Sequence, residues 1–345
     1  MMPRFGGQVW PATEVAPNTA KSAFADSPRG SRGTAYFSSL GGAPAGQTLL
    51  CYGSDDGGCR EEACDAAPGA PVPTGYSLMV AREERICMLL AIDVGNSNIV
   101  LGTLVGGKVT RHWRVATDPQ RTEDEYGVLF QGLLRNSDVV PADITATAIA
   151  SVVPPLTTVL HTAVERYLRC PVLTLSRHHI PDIPLRVDHP ESVGIDRLAN
   201  IVGALDGGPG PLVVVDFGTA TTFDAVSHDG AFLGGAIAPG LGIAADALFS
   251  RTSSLPRIAV APPSTAIGTN TVTNMQSGLV FGYAGLVDGL VRRFERELQG
   301  CCRVYATGGF ASVVAAASET ITEVDPWLTL RGISLIYDRQ HSRAR

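Results

Sequence analysis

A short pattern occurs twice, first as Leu89-Leu90-Ala91-Ile92-Asp93-Val94-Gly95-Asn96-Ser97-Asn98 and again as Val213-Val214-Val215-Asp216-Phe217-Gly218-Thr219-Ala220-Thr221-Thr222. Each copy is an apolar run that ends in Asp-x-Gly and small polar residues, and each continues into another apolar run. This order predicts a strand, a tight turn and a second strand. The N–H groups and hydroxyls of such a turn form a concave anion site. An Asp at the strand end suits a cation that neutralises phosphate oxygens.

A single Asp-x-Gly turn usually does no more than join two strands. Two copies with matched polar residues, roughly a domain apart, indicate a duplicated nucleotide site instead. A third glycine turn, Thr307-Gly308-Gly309-Phe310, follows a predicted strand over 303–306. That turn suits packing against a flat ring or a sugar, although it is also compatible with a plain cap at the end of a strand.

The composition limits the classes of function. Of the 345 residues, 45 % are apolar and 17 % are charged, as in an ordinary globular protein. The net charge of −6 argues against a nucleic-acid partner, which usually meets a basic surface. No apolar stretch approaches ~18 residues, so we expect no membrane partner, and no secretion signal is apparent. Seven cysteines without a metal-binding spacing predict free thiols in a reducing cytoplasm.

The chain divides into three segments by composition and periodicity. Residues 1–87 are rich in Gly, Pro, Ala and Ser and show neither helical nor strand periodicity, which predicts a disordered extension. The alternative is a mis-called start, with the physiological chain beginning at Met88 or Met79. From residue 88 onward, strands and helices alternate in an order that the second half repeats. We therefore expect an α/β protein with similar lobes over 88–205 and 206–345.

Individual elements follow from caps and periodicity. The capping box Thr122-Glu123-Asp124-Glu125 predicts a helix that extends to about Arg135. Apolar residues at helical spacing predict a second helix over 156–168, and a third is expected just after Asp196. The remaining predictions are a three-stranded meander over 88–104 and 108–115, strands at 146–153 and 171–175, a second meander of strands at 212–215, 223–226 and 231–238, and helices at 241–249 and 273–298.

A series of short motifs follows one order over almost all of residues 88–340. The motifs are Asp93-Val94-Gly95-Asn96-Ser97-Asn98, Thr122-Glu123-Asp124-Glu125, Ser151-Val152-Val153-Pro154, Pro190-Glu191-Ser192-Val193-Gly194-Ile195-Asp196-Arg197, Asp216-Phe217-Gly218-Thr219-Ala220-Thr221-Thr222, Gly234-Gly235-Ala236-Ile237-Ala238-Pro239-Gly240, Ile267-Gly268-Thr269-Asn270-Thr271 and the tail Asp325-Pro326-Trp327-Leu328-Thr329-Leu330-Arg331-Gly332. In this order they resemble type III pantothenate kinase, within the sugar kinase/Hsp70/actin superfamily. The resemblance implies an actin-like fold of two ribonuclease H-like lobes with an ATP cleft between them.

The same resemblance implies a reaction and its cofactors. The expected activity is ATP-dependent phosphorylation of pantothenate, the first step toward coenzyme A. The resemblance also implies a homodimer, Mg²⁺ and a monovalent cation, K⁺ or NH₄⁺. It implies that the ATP-binding residues are Asp93, Val94, Gly95, Asn96, Ser97, Asn98, Ile99, Val100 and Thr219.

The resemblance further assigns roles to the polar residues. Asp93 would hold Mg²⁺ through water, and the alternative is a turn Asp that bonds to the backbone. Asp216 would bind the monovalent cation and Thr219 would touch ATP; the alternative for both is an ordinary hairpin turn. Asp196 would be the general base that accepts the proton of the attacking hydroxyl. The alternative for Asp196 is the N-cap of the following helix. Gly308 and Gly309 would face the adenine.

The expected pantothenate site is made of Val187, Gly194, Ile195, Asp196, Arg197 and Thr271. Arg197 offers a planar pair of donors for the pantothenate carboxylate. The alternative for Arg197 is a surface ion pair with Glu191 or Asp188. Val187 departs from the family pattern, because many members have Tyr at that position.

Two other functions compete with this one. The first is a related phosphotransferase that acts on a sugar or another acid. The second is a family member kept as a regulatory or accessory protein without activity. A degenerate protein is expected to lose its catalytic carboxylates, and Asp93, Asp196 and Asp216 are all present, which favours an enzyme.

Overall fold

The computed structural model describes residues 50–53, 59–62 and 87–343. Within the unit Met1–Val80, strands Leu50–Gly53 (β1) and Cys59–Glu62 (β2) pair antiparallel. The sequence pattern predicts no strand in this segment. The prediction of disorder for the other residues of 1–86, and the alternative starts, lie outside the described residues.

The first five-stranded sheet contains the first copy of the pattern. Its strands are Met88–Val94 (β3), Asn98–Val105 (β4), Lys108–Ala116 (β5), Ile144–Ser151 (β6) and Val172–Thr174 (β7). They lie in the order β5-β4-β3-β6-β7. The first three strands form an antiparallel meander, and β6 and β7 continue the sheet in parallel with β3.

The second five-stranded sheet repeats that arrangement. Its strands are Leu212–Phe217 (β8), Ala220–Val226 (β9), Phe232–Pro239 (β10), Arg303–Gly308 (β11) and Glu323–Val324 (β12). Their order is β10-β9-β8-β11-β12, again a meander followed by two parallel strands. The equal topology confirms the predicted α/β fold with two similar halves.

Seven α-helices are described within residues 87–343. They are Glu123–Arg135 (α1), Pro154–Tyr167 (α2), Ile195–Asp206 (α3), Leu241–Ser250 (α4), Thr271–Glu297 (α5), Ala311–Ala315 (α6) and Leu328–Arg343 (α7). The predicted capping box opens α1, since Thr122 N–H donates to Glu125 Oε2 at 2.8 Å. None of the helices in this part of the chain is long and apolar enough to cross a membrane. Cys87, Cys170, Cys301 and Cys302 are free thiols, as expected.

The helices and sheets stack in five layers. α1 and α2 cover the outer face of the first sheet, where Leu90, Ile92 and Val94 are buried. α5 and α6 cover the outer face of the second sheet, with α4 at its side. α3 and α7 fill the space between the sheets, in a core that draws residues from both. α7, from the end of the chain, contacts β3, β4, β5 and β6 of the first sheet.

Strand alternation places two acidic residues toward this central layer. Successive side chains of a strand point to opposite faces. Because Leu89 and Ala91 belong to the central core, Asp93 of β3 shares their face. The same alternation in β8 puts Asp216 on the face of Leu212 and Val214. The two halves of the pattern therefore direct their carboxylates toward each other.

Candidate active site

The first turn, residues 95–98, is anchored to the chain after β5. Gly95 N–H donates to Asn98 O at 3.0 Å, closing the turn. Thr117 holds it from outside, since its N–H donates to Ser97 O at 3.0 Å and its hydroxyl to Gly95 O at 2.7 Å. The side chains of Asn96, Ser97 and Asn98 are left exposed. The turn thus has a fixed backbone and free polar groups.

The second turn meets the first. The Thr219 hydroxyl donates to Ser97 Oγ at 2.8 Å, a contact between residues 122 positions apart. Ser97 and Thr219 are both predicted ATP-binding residues, and this hydrogen bond joins the two copies of the pattern. Val94 and Ile99 are buried in the outer core of the first sheet, so only their backbone is available to a ligand. Val100 lines the cavity between the turns.

Three carboxylates converge beside these turns. Burial raises the pKa of Asp93 well above its usual value, and the charges of Asp196 and Asp216 raise it further. Burial also raises the pKa of Asp216 to about 6, although Asn200 donates a hydrogen bond that lowers it. Burial likewise raises the pKa of Asp196. The carboxylates repel one another in a partly dry site, where a cation is favoured.

Asp196 lies in the first turn of α3, which begins at Ile195, two residues earlier than predicted. The N-cap is Gly194, so the alternative role of Asp196 as the N-cap is wrong. Arg197 N–H donates to Asp196 Oδ1 at 2.8 Å. A Cβ on Gly194 would lie 2.4 Å from the same oxygen. A glycine at position 194 therefore leaves room for the carboxylate in this orientation.

Asp216 is held by residues that the sequence pattern did not reveal. Asn200 of α3 donates from Nδ2 to Asp216 Oδ2 at 3.0 Å, and Thr329 of α7 donates to Asn200 Oδ1 at 2.7 Å. Gly308 adopts φ +89°, and a Cβ there would lie 2.6 Å from Asp216 Oδ1. Gly308 therefore permits β11 to pass close to the carboxylate.

Arg197 forms an ion pair that differs from the predicted alternative. Its partner is Asp224 of β9, not Glu191 or Asp188, and Asp224 is fully buried. Nε and Nη2 of Arg197 lie 2.7 and 2.5 Å from Asp224 Oδ1. The guanidinium also lies 5.3 Å from the ring centre of Phe232. Burial raises the pKa of Asp224 to about 6, and Arg197 opposes that rise.

A cavity opens between the two turns. Its lining includes Asp93, Arg114, Asp216, Thr219, Gly308 and Trp327. Arg114 lies outside every motif that pointed to the site, whereas Trp327 belongs to the motif over 325–332. Among residues 87–343, no group of three or more His, Cys, Asp or Glu is arranged to hold a metal ion alone. A cation here would share Asp93 or Asp216 with other oxygen ligands.

The remaining predicted substrate residues are more scattered. Ile195 is buried in the central core, which leaves its backbone for contacts. Val187 is half-buried and packs beside Gly234. Thr271 is exposed at the start of α5, after the N-cap Asn270. No contact between Thr271 and Arg197 is present in the described part of the chain.

Comparison with known proteins gives the family. Among solved structures, component A of (R)-2-hydroxyglutaryl-CoA dehydratase from Acidaminococcus fermentans aligns over 73 % of this chain and 97 % of its own. The identity is 16 % and the TM-score is 0.43. The type III pantothenate kinase of Desulfatibacillum aliphaticivorans is 48 % identical over 253 residues, 73 % of this chain and 98 % of that protein.

The type III pantothenate kinase of Myxococcus xanthus (strain DK1622) is also 48 % identical, over 255 residues that cover 74 % of this chain and all of that protein. The family model described as type III pantothenate kinase matches residues 89–293. That span contains both turns, α3 and all three converging carboxylates. The chain belongs to the type III pantothenate kinase family.

Proposed function

We propose that this protein transfers the terminal phosphoryl group of ATP to pantothenate, forming 4'-phosphopantothenate in the first step of coenzyme A synthesis. The observation that carries the proposal is the convergence of Asp93, Asp196 and Asp216 beside two joined turns. Phosphoryl transfer depends mainly on positioning and on charge stabilisation, which such a site supplies. The names of the relatives supply the acceptor.

Asp196 is the proposed general base. Its Oδ1 accepts the Arg197 N–H, and within residues 87–343 no side chain is seen to donate a hydrogen bond to the carboxylate. Burial raises the pKa of this carboxyl, which makes it a better proton acceptor near neutral pH. The pantothenate hydroxyl would give its proton to this carboxylate as it attacks the phosphoryl group.

Two cations fit the other carboxylates. Mg²⁺ commonly uses one or two carboxylates together with waters and phosphate oxygens, and Asp93 suits that role. Asp216 would hold K⁺ or NH₄⁺, with Asn200 fixing one of its oxygens. Burial raises the pKa of both groups, which means that negative charge is costly at this site. Each cation would lower the electrostatic repulsion between these carboxylates and the phosphate groups of ATP.

Arg197 is the proposed partner of the pantothenate carboxylate. Asp224 engages Nε and Nη2, which leaves Nη1 for a substrate oxygen. Gly194 and Ile195 would add backbone contacts, and Thr271 a hydroxyl. Val187 would replace the Tyr contact of other members with an apolar one.

A homodimer would cover an exposed apolar surface of the second half. β10 is an edge strand, and Ile237 on it is 68 % exposed. Ile243 and Phe249 of α4 are 50 % and 40 % exposed. Exposed apolar groups of this kind mark protein contacts. We expect Ile237→Asp to give a monomer by light scattering, whereas Val128→Asp on α1 leaves the dimer intact; a dimer in both variants would contradict this interface.

A coupled ADP-release assay on the full chain tests the reaction. The complete mixture contains pantothenate, ATP, Mg²⁺ and K⁺, and each component is omitted in turn. We expect turnover that requires pantothenate and falls without K⁺. Release of ADP without pantothenate would point to another acceptor or to hydrolysis. No release under any condition would favour the accessory role.

A further inference from the structure

Arg114 lies on the same face of the first sheet as Asp93. Asp93 of β3 pairs with Val100 of β4, and Val100 pairs with Arg114 of β5. Side chains at paired positions share one face of a sheet. Two strand spacings of about 4.8 Å therefore separate the backbones of Asp93 and Arg114, a gap that the long Arg side chain spans over Val100.

The guanidinium of Arg114 also reaches the second half of the molecule. A Cβ built on Gly309, just after β11, would lie 3.0 Å from Arg114 Nη1. Arg114 thus crosses the cleft from the first sheet to the third glycine turn. It lines the cavity that also contains Asp216 and Thr219.

The positive charge of Arg114 is available to a ligand. The residue is exposed, and no ion pair to it is found within residues 87–343. Its charge lowers the pKa of Asp93 and of Asp216, against the larger effect of burial. The guanidinium of Arg197, in contrast, is already paired with Asp224. Arg114 is therefore the cation best placed to offset the charge of a bound triphosphate.

We propose that Arg114 binds the terminal phosphate of the nucleotide and, by spanning the cleft to Gly309, ties the two halves together around it. This inference rests on the proposed kinase function. A planar guanidinium matches phosphate oxygens with two parallel hydrogen bonds. The contact would exist with a triphosphate and be lost with a diphosphate, so product release would follow transfer.

The test compares the affinities for ATP and ADP of the full chain by titration calorimetry, with Mg²⁺ present. Arg114→Met is expected to weaken ATP binding by about 10- to 100-fold, the usual range for a hydrogen-bonded charge, and ADP binding by about twofold or less. Arg114→Lys keeps the charge but loses the planar pair of N–H donors, and an intermediate loss of ATP affinity is expected. Equal losses for the two nucleotides, or none, would overturn the proposal.

Two further variants separate the possible explanations. Arg111→Met removes an exposed arginine of the same strand, whose guanidinium donates a hydrogen bond to Thr110 O, and unchanged binding is expected. Gly309→Ala retains the charge and crowds Nη1, so a smaller loss of ATP affinity than that of Arg114→Met is expected. If the unaltered protein phosphorylates pantothenate while Arg114→Met keeps full ATP affinity, this inference alone fails. If the unaltered protein binds neither nucleotide, the proposed function fails with it.

Discussion

The two Asp-x-Gly turns have the same place in the same topology but different surroundings. Asp216 accepts a hydrogen bond from Asn200, which Thr329 fixes in turn, and Gly308 lies against its other oxygen. Asp93 accepts no side-chain hydrogen bond from the described residues, and its pKa is raised well above the usual value. The carboxylate of Asp216 is therefore held in place by its neighbours, whereas the orientation of Asp93 depends on the ligand that it binds.

This difference teaches how a duplicated element can acquire two tasks. A fixed carboxylate suits a bound ion that stays through the catalytic cycle, whereas a free one suits a cation that arrives and leaves with the nucleotide. Ser97 and Thr219 join the two turns directly by one hydrogen bond. The comparison can be broken or sharpened by substitutions at and between the turns.

The largest effect is expected from the third carboxylate of the site, whose charge acts on both of the others. Asp196→Asn removes the proposed base, and because a general base contributes ~10²–10⁴ to rate, kcat is expected to fall by about that factor. Binding of ATP, which depends on the turns, is expected to remain. The measurements are steady-state turnover and ATP titration, and undiminished turnover would remove Asp196 from the mechanism.

An intermediate effect is expected from separating the two cations. Asp93→Asn is predicted to raise the Mg²⁺ concentration needed for half-maximal rate by about tenfold, the cost of one charged contact, with little change in the response to K⁺. Asp216→Asn is predicted to do the opposite. The check is a pair of Mg²⁺ and K⁺ titrations on each variant. Identical responses in the two variants would show that the turns do not divide these roles.

The smallest effect concerns stability and its dependence on pH. The pKa of Asp216 is about 6 in the folded protein against 3.8 as its ordinary value, so the folded state binds the proton more strongly. Stability from this group is present at low pH and is lost as pH rises from about 4 to 6. Asp216→Asn is therefore expected to stabilise the protein by about 1–3 kcal/mol at pH 7.5, and by less at pH 4.

A buried carboxylate of the opposite kind provides the control. Burial raises the pKa of Asp288, but hydrogen bonds from Ser318, Glu319 and Thr320 outweigh it, and the net pKa is lowered. Asp288→Asn should therefore destabilise the protein at pH 7.5, with a loss that shrinks as the pH falls. Thermal unfolding of both variants at pH 4 and 7.5 tests the contrast. A lower Tm for Asp216→Asn at pH 7.5 would contradict the predicted cost of keeping the buried Asp216 carboxylate charged.

Local pattern was sufficient for most of the elements and for the acidic centre. Strand alternation alone directs Asp93 and Asp216 to the inner faces of their sheets, and the capping box fixes the start of α1. Where a helix or strand was predicted, its boundaries lie within a few residues of the prediction, and the start of α3 was placed two residues too late. The helix α7 and the short strands β1, β2 and β12 were not predicted.

Residues that act only through assembly were not predictable in the same way. Arg114 belongs to no motif, and its position over Asp93 depends on pairing between β5 and β4 and on the approach of the second sheet. Asn200 and Thr329 meet because α3 and α7 pack side by side. Asp224 looked like an ordinary strand residue, yet it determines the orientation of Arg197. Such residues become neighbours only in the folded structure, and their spacing along the chain does not predict these contacts.

The central layer has a consequence for how the molecule folds. α3 and α7 touch through glycines, since a Cβ on Gly332 would lie 1.8 Å from Ala199 O and one on Gly203 would lie 2.8 Å from Leu328 O. Both sheets bury their inner faces in the core that this helix pair supplies. Neither half of the chain therefore carries a complete interior of its own, since the last helix is needed to finish the first sheet. The two halves are expected to fold and unfold cooperatively. Because α7 comes from the end of the chain, the whole chain must be synthesised before either half can complete its fold.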